Sequence, residues 1–472
     1  MNHFDTFKRK TAVIVLALLF SFLFQAMGSA YASFTIDDEK KLGKEFYDKL
    51  EKSGVLIHDE RTDAYITALG NKLLAQGEKP LFVFHFSVIR SSAINAFATP
   101  GGYIYVNRGL VTMVETESEL ASVLAHEIAH IKQRHVASII EKSQKLGIAT
   151  LAAVLAGAFL GGGDLGPAVA SFSLATASTL SLKFSREHEE EADRLGMSYL
   201  VGAGYDGKAM MDFMRLMRRY EYYSSGIPSY FLTHPGTEER ITYIDALLHT
   251  TYAPGGSQTI IGNLKRVQTV LMFDEKNLDS SLHYFQNDLQ KNPNDVDSLY
   301  GLAVTEDKRG KTEESLQYFS KALSLAPDDP DICRDLGVLY FKLGRPAEAV
   351  IYLKKALAVK EDDPNTLLYL GRSYDLQGDY ASALDLYKRI EKKNITDPDI
   401  YYSIAMAYGK TNDQGLSHYY FGVYFKKKRN MPSSVYHFKE ALKYLPPDSE
   451  KAREIEKELK TTKPAEKSYI RR

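Results

Sequence analysis

Glu119–His135 reads ELASVLAHEIAHIKQRH and holds His126, Glu127 and His130 in the order His-Glu-x-x-His. On an α-helix, residues four apart stand one above the other on a single face, so both imidazoles reach one metal ion. That geometry suits tetrahedral zinc, one ion per chain. Glu127 follows the first histidine, where its carboxylate can take a proton from a metal-bound water. The surrounding sequence predicts a helix: Glu115, Glu117 and Glu119 crowd the first turn, Leu120, Val123, Leu124 and Ile128 recur at helical spacing, and neither Gly nor Pro interrupts. Two histidines do not complete such a site, so a third ligand is sought elsewhere in the chain.

Lys183–Gly196 reads KFSREHEEEADRLG and supplies it. Glu189 and Asp193 are four apart and share a helix face. The first is the expected carboxylate ligand; the second can accept the N–H of a ligand histidine and fix its tautomer. The expected metal set is therefore His126, His130 and Glu189, with Glu127 and Asp193 as catalytic residues. Glu187, Glu190 and Glu191 read as a solvated acidic face, and His188 and His135 as surface residues.

Upstream, Phe34–Leu74 reads as helical, with Leu42, Phe46 and Leu50 on one face and Tyr65, Leu69 and Leu73 on another. Phe82–Ile89 alternates and is β-branched or aromatic. Ile94–Ala98 and Tyr103–Val106 read as two further strands joined at Thr99-Pro100-Gly101-Gly102. A small sheet thus precedes the metal helix. Its Ile94–Thr99 segment is either a structural hairpin or an edge that pairs with an extended substrate backbone. Downstream, Gly147–Gly163 and Leu165–Leu182 carry no charge and flank Asp164. They read as a buried helical hairpin over the site, or as one that touches a membrane surface or moves as a lid.

Lys8, Arg9 and Lys10 precede an apolar run from Thr11 to Phe24, and Ala30-Tyr31-Ala32 follows. This order predicts a secretory signal peptide over residues 1–32, cleaved after Ala32, and a periplasmic location. The alternative is a retained membrane anchor, but the run falls short of the roughly 20 residues a span needs. No cysteine follows the cleavage site to take a lipid, and the single cysteine, Cys333, cannot form an internal disulfide. The 59 basic and 60 acidic residues nearly cancel, which gives no basis for nucleic-acid binding or for electrostatic attachment to an anionic membrane.

The C-terminal part repeats. Leu302, Leu336, Leu370 and Ile404 are 34 apart, as are Gly310, Gly344 and Gly378, and Pro330, Pro364 and Pro398. With Tyr340, Tyr374 and Tyr408 in phase, this period marks tetratricopeptide repeats, helix pairs that stack as a solenoid and bind other polypeptides. Phe285 with Pro293 suggests a degenerate earlier unit. Gly422, Phe438, Ala441 and Pro446 suggest a later one offset by half a repeat, as if one helix served two units. The expected organisation is a signal peptide (1–32), a metallopeptidase domain (33–250), a linker (251–264), repeats (265–462) and a disordered tail (463–472). The fold class is mainly α: a zincin-like α+β domain with a small sheet, then an α-solenoid.

HEIAHIKQRH at His126–His135, SREHEEEAD at Ser185–Asp193, NAFATPGGYIYVNRG at Asn95–Gly109 and THPGTEER at Thr233–Arg240 together resemble the HtpX and CAAX-prenyl-protease family of zinc metallopeptidases, in its secreted bacterial branch with C-terminal repeats. The resemblance implies His126, His130 and Glu189 as zinc ligands, Glu127 as general base, Asp193 behind a ligand and His234 near the metal. It also implies unfolded outer-membrane proteins and their assembly machinery as substrates and partners. His234 then has three possible roles: a donor to the oxyanion, an occupant of zinc's fourth position at rest, or a loop histidine without metal contact; the second is the expected one. The reading is a secreted zinc endopeptidase of protein quality control. Its alternatives are a chaperone or scaffold with latent proteolysis, and an anchored membrane protease.

Overall fold

The computed structural model describes residues 34–142, 147–160, 183–223, 229–252, 255–273, 277–392 and 398–461. The expected signal peptide, the second half of the apolar hairpin and the C-terminal tail lie outside these residues. The chain forms two units, Met1–Asp274 and Glu275–Arg472.

The first unit opens with α1 (Ile36–Ser53), started by a Thr35/Asp38 capping box. A two-residue strand, β1 (Leu56–Ile57), and α2 (Glu60–Leu74) follow. The sequence reading, helical throughout this stretch, did not anticipate β1. The remaining strands are β2 (His85–Ile89), β3 (Ala96–Thr99) and β4 (Tyr103–Asn107), so Phe82–Phe84 fall outside the strand expected there. Their order is β1-β2-β4-β3, with β2 and β4 parallel and the outer pairs antiparallel. The β3–β4 turn needs glycine: Gly102 has φ 98°, and a Cβ there would meet Val83 O at 2.3 Å.

A short helix, α3 (Arg108–Met113), leads to the metal helix α4 (Glu117–Lys132), which a Thr116/Glu119 capping box starts and whose residues are almost all buried. Next come α5 (His135–Lys142) and α6 (Ile148–Leu160). The described half of the uncharged segment is thus a helix. It buries Leu151, Leu155 and Phe159 in one cluster with Leu42 and Phe46 of α1. Phe159 stacks on Phe97 of β3 with centroids 4.4 Å apart. No helix among the described residues is long and apolar enough to cross a membrane.

Beyond α6 lie α7 (Arg186–Gly202), α8 (Lys208–Tyr223), α9 (Ser229–Thr233), α10 (Thr237–Thr250) and α11 (Leu264–Met272). The stretch expected as a linker, 251–264, is instead tied into this unit. Glu117, in the first turn of α4, accepts backbone N–H bonds from Ile260, Ile261 and Gly262 at 2.8, 2.7 and 2.8 Å. The hydroxyls of Tyr65 and Tyr205 donate to the same carboxylate at 3.2 and 2.7 Å. A buried carboxylate requires such partners, and here the chain after α10 provides three of them. The two units thus divide after residue 274.

The second unit is a run of antiparallel helices from α12 (Leu278–Lys291) through α13 (Val296–Lys308) and α14 (Thr312–Leu325) to a last described helix, Glu450–Thr461. Glycines on one helix receive bulky side chains from the next: a Cβ on Gly337 or Gly371 would fall within 2.6 Å of Leu353 or Tyr387. Near the end, Ser417 donates to Ala405 O and Ser434 to Gly422 O, each at 2.8 Å across twelve residues. The helix Gln414–Lys427 is thus the second member of one pair and the first of the next, which is the half-repeat offset expected from Gly422 and Phe438.

Candidate active site

Three elements of the first unit bring the metal-ligating side chains together. α4 supplies His126 and His130, α7 supplies Glu189, and the turn between α9 and α10 supplies His234. Gly196 lets α7 approach α4: a Cβ there would stand 3.1 Å from the backbone nitrogen of His126. The His234 loop is held from both sides, since Tyr230 N–H donates to Ile94 O at 3.2 Å and Phe184 N–H to Thr233 O at 3.1 Å. Tyr230 stacks on the His234 ring with centroids 4.4 Å apart.

Ligand atoms of His126, His130, Glu189 and His234 all lie within 4.8 Å of one another, and all four residues are buried. Nε2 of His126 is 2.9 Å from Nε2 of His130 and 3.3 Å from Nδ1 of His234, which in turn is 3.0 Å from Oε1 of Glu189. Burial holds His130 and His234 well below their ordinary pKa and lowers His126, which favours the neutral imidazole, the form that ligates metal.

The residues fit zinc on two further grounds. The Glu127 carboxylate is buried without a side-chain hydrogen bond, and Nε2 of His234, likewise buried, approaches its Oε1 only to 3.5 Å, a cost that a nearby cation offsets. Three buried carboxylates, Glu127, Glu189 and Asp193, also face a single buried guanidinium, Arg240, an imbalance that a dication corrects. Without one, burial and the charge of Glu189 push Glu127 well above the usual carboxylate range. Burial likewise lifts Glu189 to about 7 against the pull of Arg240.

Asp193 lies where the i,i+4 spacing put it, with Oδ1 2.8 Å from Nδ1 of His126. Burial alone would raise its pKa, but Arg240 and His126 outweigh burial and hold it well below the ordinary value. Arg240 closes this network, and Tyr243 OH also donates to Asp193. Neither residue was assigned a role from the sequence, although Arg240 ends the THPGTEER stretch. One signal was available: two carboxylates on one buried helix face need a cation, and Arg240 and Tyr243 sit three apart on a helix close by.

The reading of His135 as a surface residue is corrected. It is buried, with Nδ1 2.9 Å from Nδ1 of His130 and Nε2 3.0 Å from Glu191. Burial lowers its pKa to about 4, and His188, partly exposed, stacks on it at 4.4 Å. Helical spacing misled here because α4 ends at Lys132 and Arg134 takes φ 54°, which turns His135 back toward the site.

Comparison with known proteins agrees with this arrangement. The model of Peptidase family M48 matches residues 60–248, and Tetratricopeptide repeat models match 273–330, 308–365 and 365–394. The chain is 37% identical over 216 residues to a beta-barrel assembly-enhancing protease of Yersinia pestis, covering 45% of this chain and 44% of that one. It is 40% identical over 217 residues to a putative beta-barrel assembly-enhancing protease of Vibrio cholerae, with the same coverage. The mitochondrial metalloendopeptidase OMA1 of Schizosaccharomyces pombe matches at 30% over 217 residues, 45% of this chain and 62% of that one. The matched region spans under half the length of the two bacterial relatives. The HtpX and CAAX-prenyl-protease label given by the motifs names a slightly different branch of the same family. Residues 60–248 are accordingly a peptidase family M48 domain built around a zinc site, in a chain that continues into tetratricopeptide repeats.

Proposed function

We propose that this chain is a zinc-dependent endopeptidase of protein quality control in the periplasm, acting on misassembled outer-membrane proteins. The observation that carries the reading is the buried cluster of His126, His130, Glu189 and His234 beside the unligated Glu127. His126, His130 and Glu189 would hold the metal, with Asp193 fixing the His126 tautomer. When bound, zinc supplies Lewis acidity and a water whose pKa falls toward about 7. Glu127, buried beside the cluster, would serve as the base toward the attacking water and pass the proton to the leaving amine. The name of the bacterial relatives, beta-barrel assembly-enhancing protease, supports the client class, and the basic-then-apolar order of residues 8–32 supports the location. The repeats, in this reading, bind clients or assembly machinery.

A second reading, a chaperone or scaffold with latent proteolysis, draws on the place of His234. Its Nδ1 sits among the ligand atoms, where it would occupy the fourth metal position and leave no room for water. One experiment separates the two. Crosslinking Glu127→Gln and wild-type chains in the cell envelope should trap clients with the variant that the wild type releases as fragments. Identical, uncut captures from both would favour the scaffold.

A further inference from the structure

The sheet has a second incomplete edge, on the side away from β3, and a cavity lies beside it. β1 pairs with only the last two residues of β2, Leu56 with Ile89 and Ile57 with Val88. The chain then leaves for Asp59, the N-cap of α2. His85 N–H donates to Gly102 O on the β4 side at 2.9 Å. Because neighbouring residues on a strand face opposite ways, the N–H and C=O of Phe86 point toward the edge that β1 has vacated. Beside that edge is a cavity of about 410 Å³, within the size range of ligand sites, to which α1, α2, Phe84–Ser87 and Tyr103 contribute.

The cavity has a defined chemistry. Tyr47 and Tyr103 line it, with ring centroids 5.7 Å apart. Of its charged residues, Lys44 is paired with Asp48, and His58 with Glu51 at 3.1 Å. Asp63, by contrast, has no hydrogen-bond or ion-pair partner among the described residues, although it is half-buried. Burial raises its pKa to about 6, against a weaker pull from His58 nearby. His85 stacks on Tyr103 at 4.7 Å, so the rings offer their edges and phenol oxygens, and with the carboxylate of Asp63 these are the recognition chemistry of a lysine or arginine side chain.

We propose that this cavity is a docking site for an extended polypeptide, which adds a strand along Phe84–Phe86 and seats a basic side chain against Asp63, beside the Tyr47 and Tyr103 rings. Main-chain pairing gives affinity whatever the client sequence, and the cavity adds a preference. β1 and β3 lie at opposite ends of the sheet order, about 14 Å apart at three strand spacings, so a segment docked here does not compete with one at the metal centre. Binding requires no hydrolysis, so the inference stands or falls separately from the proposed protease activity.

The test uses the full chain carrying Glu127→Gln and fluorescently labelled nine-residue peptides of alternating threonine and valine. One peptide carries a central lysine, a second carries norleucine there, and a third is the lysine peptide N-methylated on both sides of the lysine. By anisotropy the lysine peptide should bind about tenfold more tightly than the norleucine peptide, and N-methylation should remove most of the binding. Asp63→Asn should erase the lysine preference with zinc content and helical signal unchanged. A benzophenone on the lysine peptide should label residues 84–87 or α1. Equal affinities for lysine and norleucine, an unchanged preference in Asp63→Asn, or labelling confined to 96–99 would overturn the proposal.

Discussion

Arg240 grips Asp193 with two parallel bonds, Nε and Nη2 each donating to a carboxylate oxygen at 2.7 Å, inside a unit where both side chains are buried. Its remaining nitrogen, Nη1, lies 2.6 Å from Oε2 of Glu189. One guanidinium therefore orients both Glu189, a member of the metal cluster, and Asp193, the residue behind His126. Arg240→Gln strands two buried carboxylates and should cost on the order of 3 to 5 kcal/mol of stability and lower zinc occupancy. Arg240→Lys keeps the charge without the fork and should fall between the two. Thermal melts with and without added zinc check this, and a wild-type melting curve for Arg240→Gln would refute it.

Glu127 is buried beside the cluster but is not one of its ligands, so metal binding and catalysis should separate on its substitution. Glu127→Gln should retain about one zinc and lose hydrolysis by roughly 10²- to 10⁴-fold. His126→Ala, His130→Ala and Glu189→Ala should each lose the metal. Metal analysis beside a peptide-cleavage assay distinguishes the two classes, and full cleavage by Glu127→Gln is the result that sinks the assignment.

His234 sits among the ligand atoms, so His234→Ala should keep zinc on three ligands and cleave more, including bystander proteins. A large fall in cleavage with zinc retained would move the histidine to the oxyanion, where one donor is worth about 3 to 4 kcal/mol. Wild-type rates with every substrate would leave it no role at the metal.

Asp63 gives a pH dependence with a definite sign. Its folded pKa, about 6, lies above the ordinary carboxylate value of 3.8, so the folded state holds the proton more tightly than the unfolded chain. Stability from this group is fully present below pH 3.8 and is lost as pH rises to about 6. Asp63→Asn should therefore stabilise the chain above pH 6 and leave it unchanged below 3.8. The gain should be about 1 kcal/mol, since the carboxylate is half-exposed and solvent screens it. Denaturant unfolding at pH 4 and pH 7 measures it, and an equal effect at both pH values would contradict the argument.

The second unit should fold alone if it is cut at the right place. A fragment of residues 277–461 should show a cooperative helical melt, because each repeat helix packs on its neighbours. A fragment starting at residue 259 carries Ile260–Gly262 and α11 without the Glu117 carboxylate that the first unit supplies, and should be less soluble. Broad, non-cooperative melting of the shorter fragment would argue against an independent solenoid.

The legible parts of this chain were those set by local periodicity. Four-residue spacing placed His126 under His130 and Glu189 beside Asp193, and the 34-residue period located the repeats, including the helix that serves two pairs. Contacts made by chain reversal could not be read this way. His135 looks solvent-facing on a continuing helix but is buried once the backbone turns at Arg134. Ala253–Ser257 has the composition of a linker, yet the residues just beyond it are fixed by a carboxylate more than a hundred positions earlier. Arg240 carried no local pattern, because its role depends on where α10 meets α7.

The Glu117 clasp also sets an order in time. Residues reach the far side of a membrane, or leave a ribosome, from the N-terminus onward, and domains fold as units once enough of the chain is out. His126 and His130 are delivered early, but the three N–H groups that secure the start of their helix come from residues 260–262, near the end of the first unit. A chain still in transit thus carries its metal-binding histidines on a helix with an unsecured end. The site is complete only when the unit is whole, so the last residues of the unit, and not the histidines themselves, set when it forms.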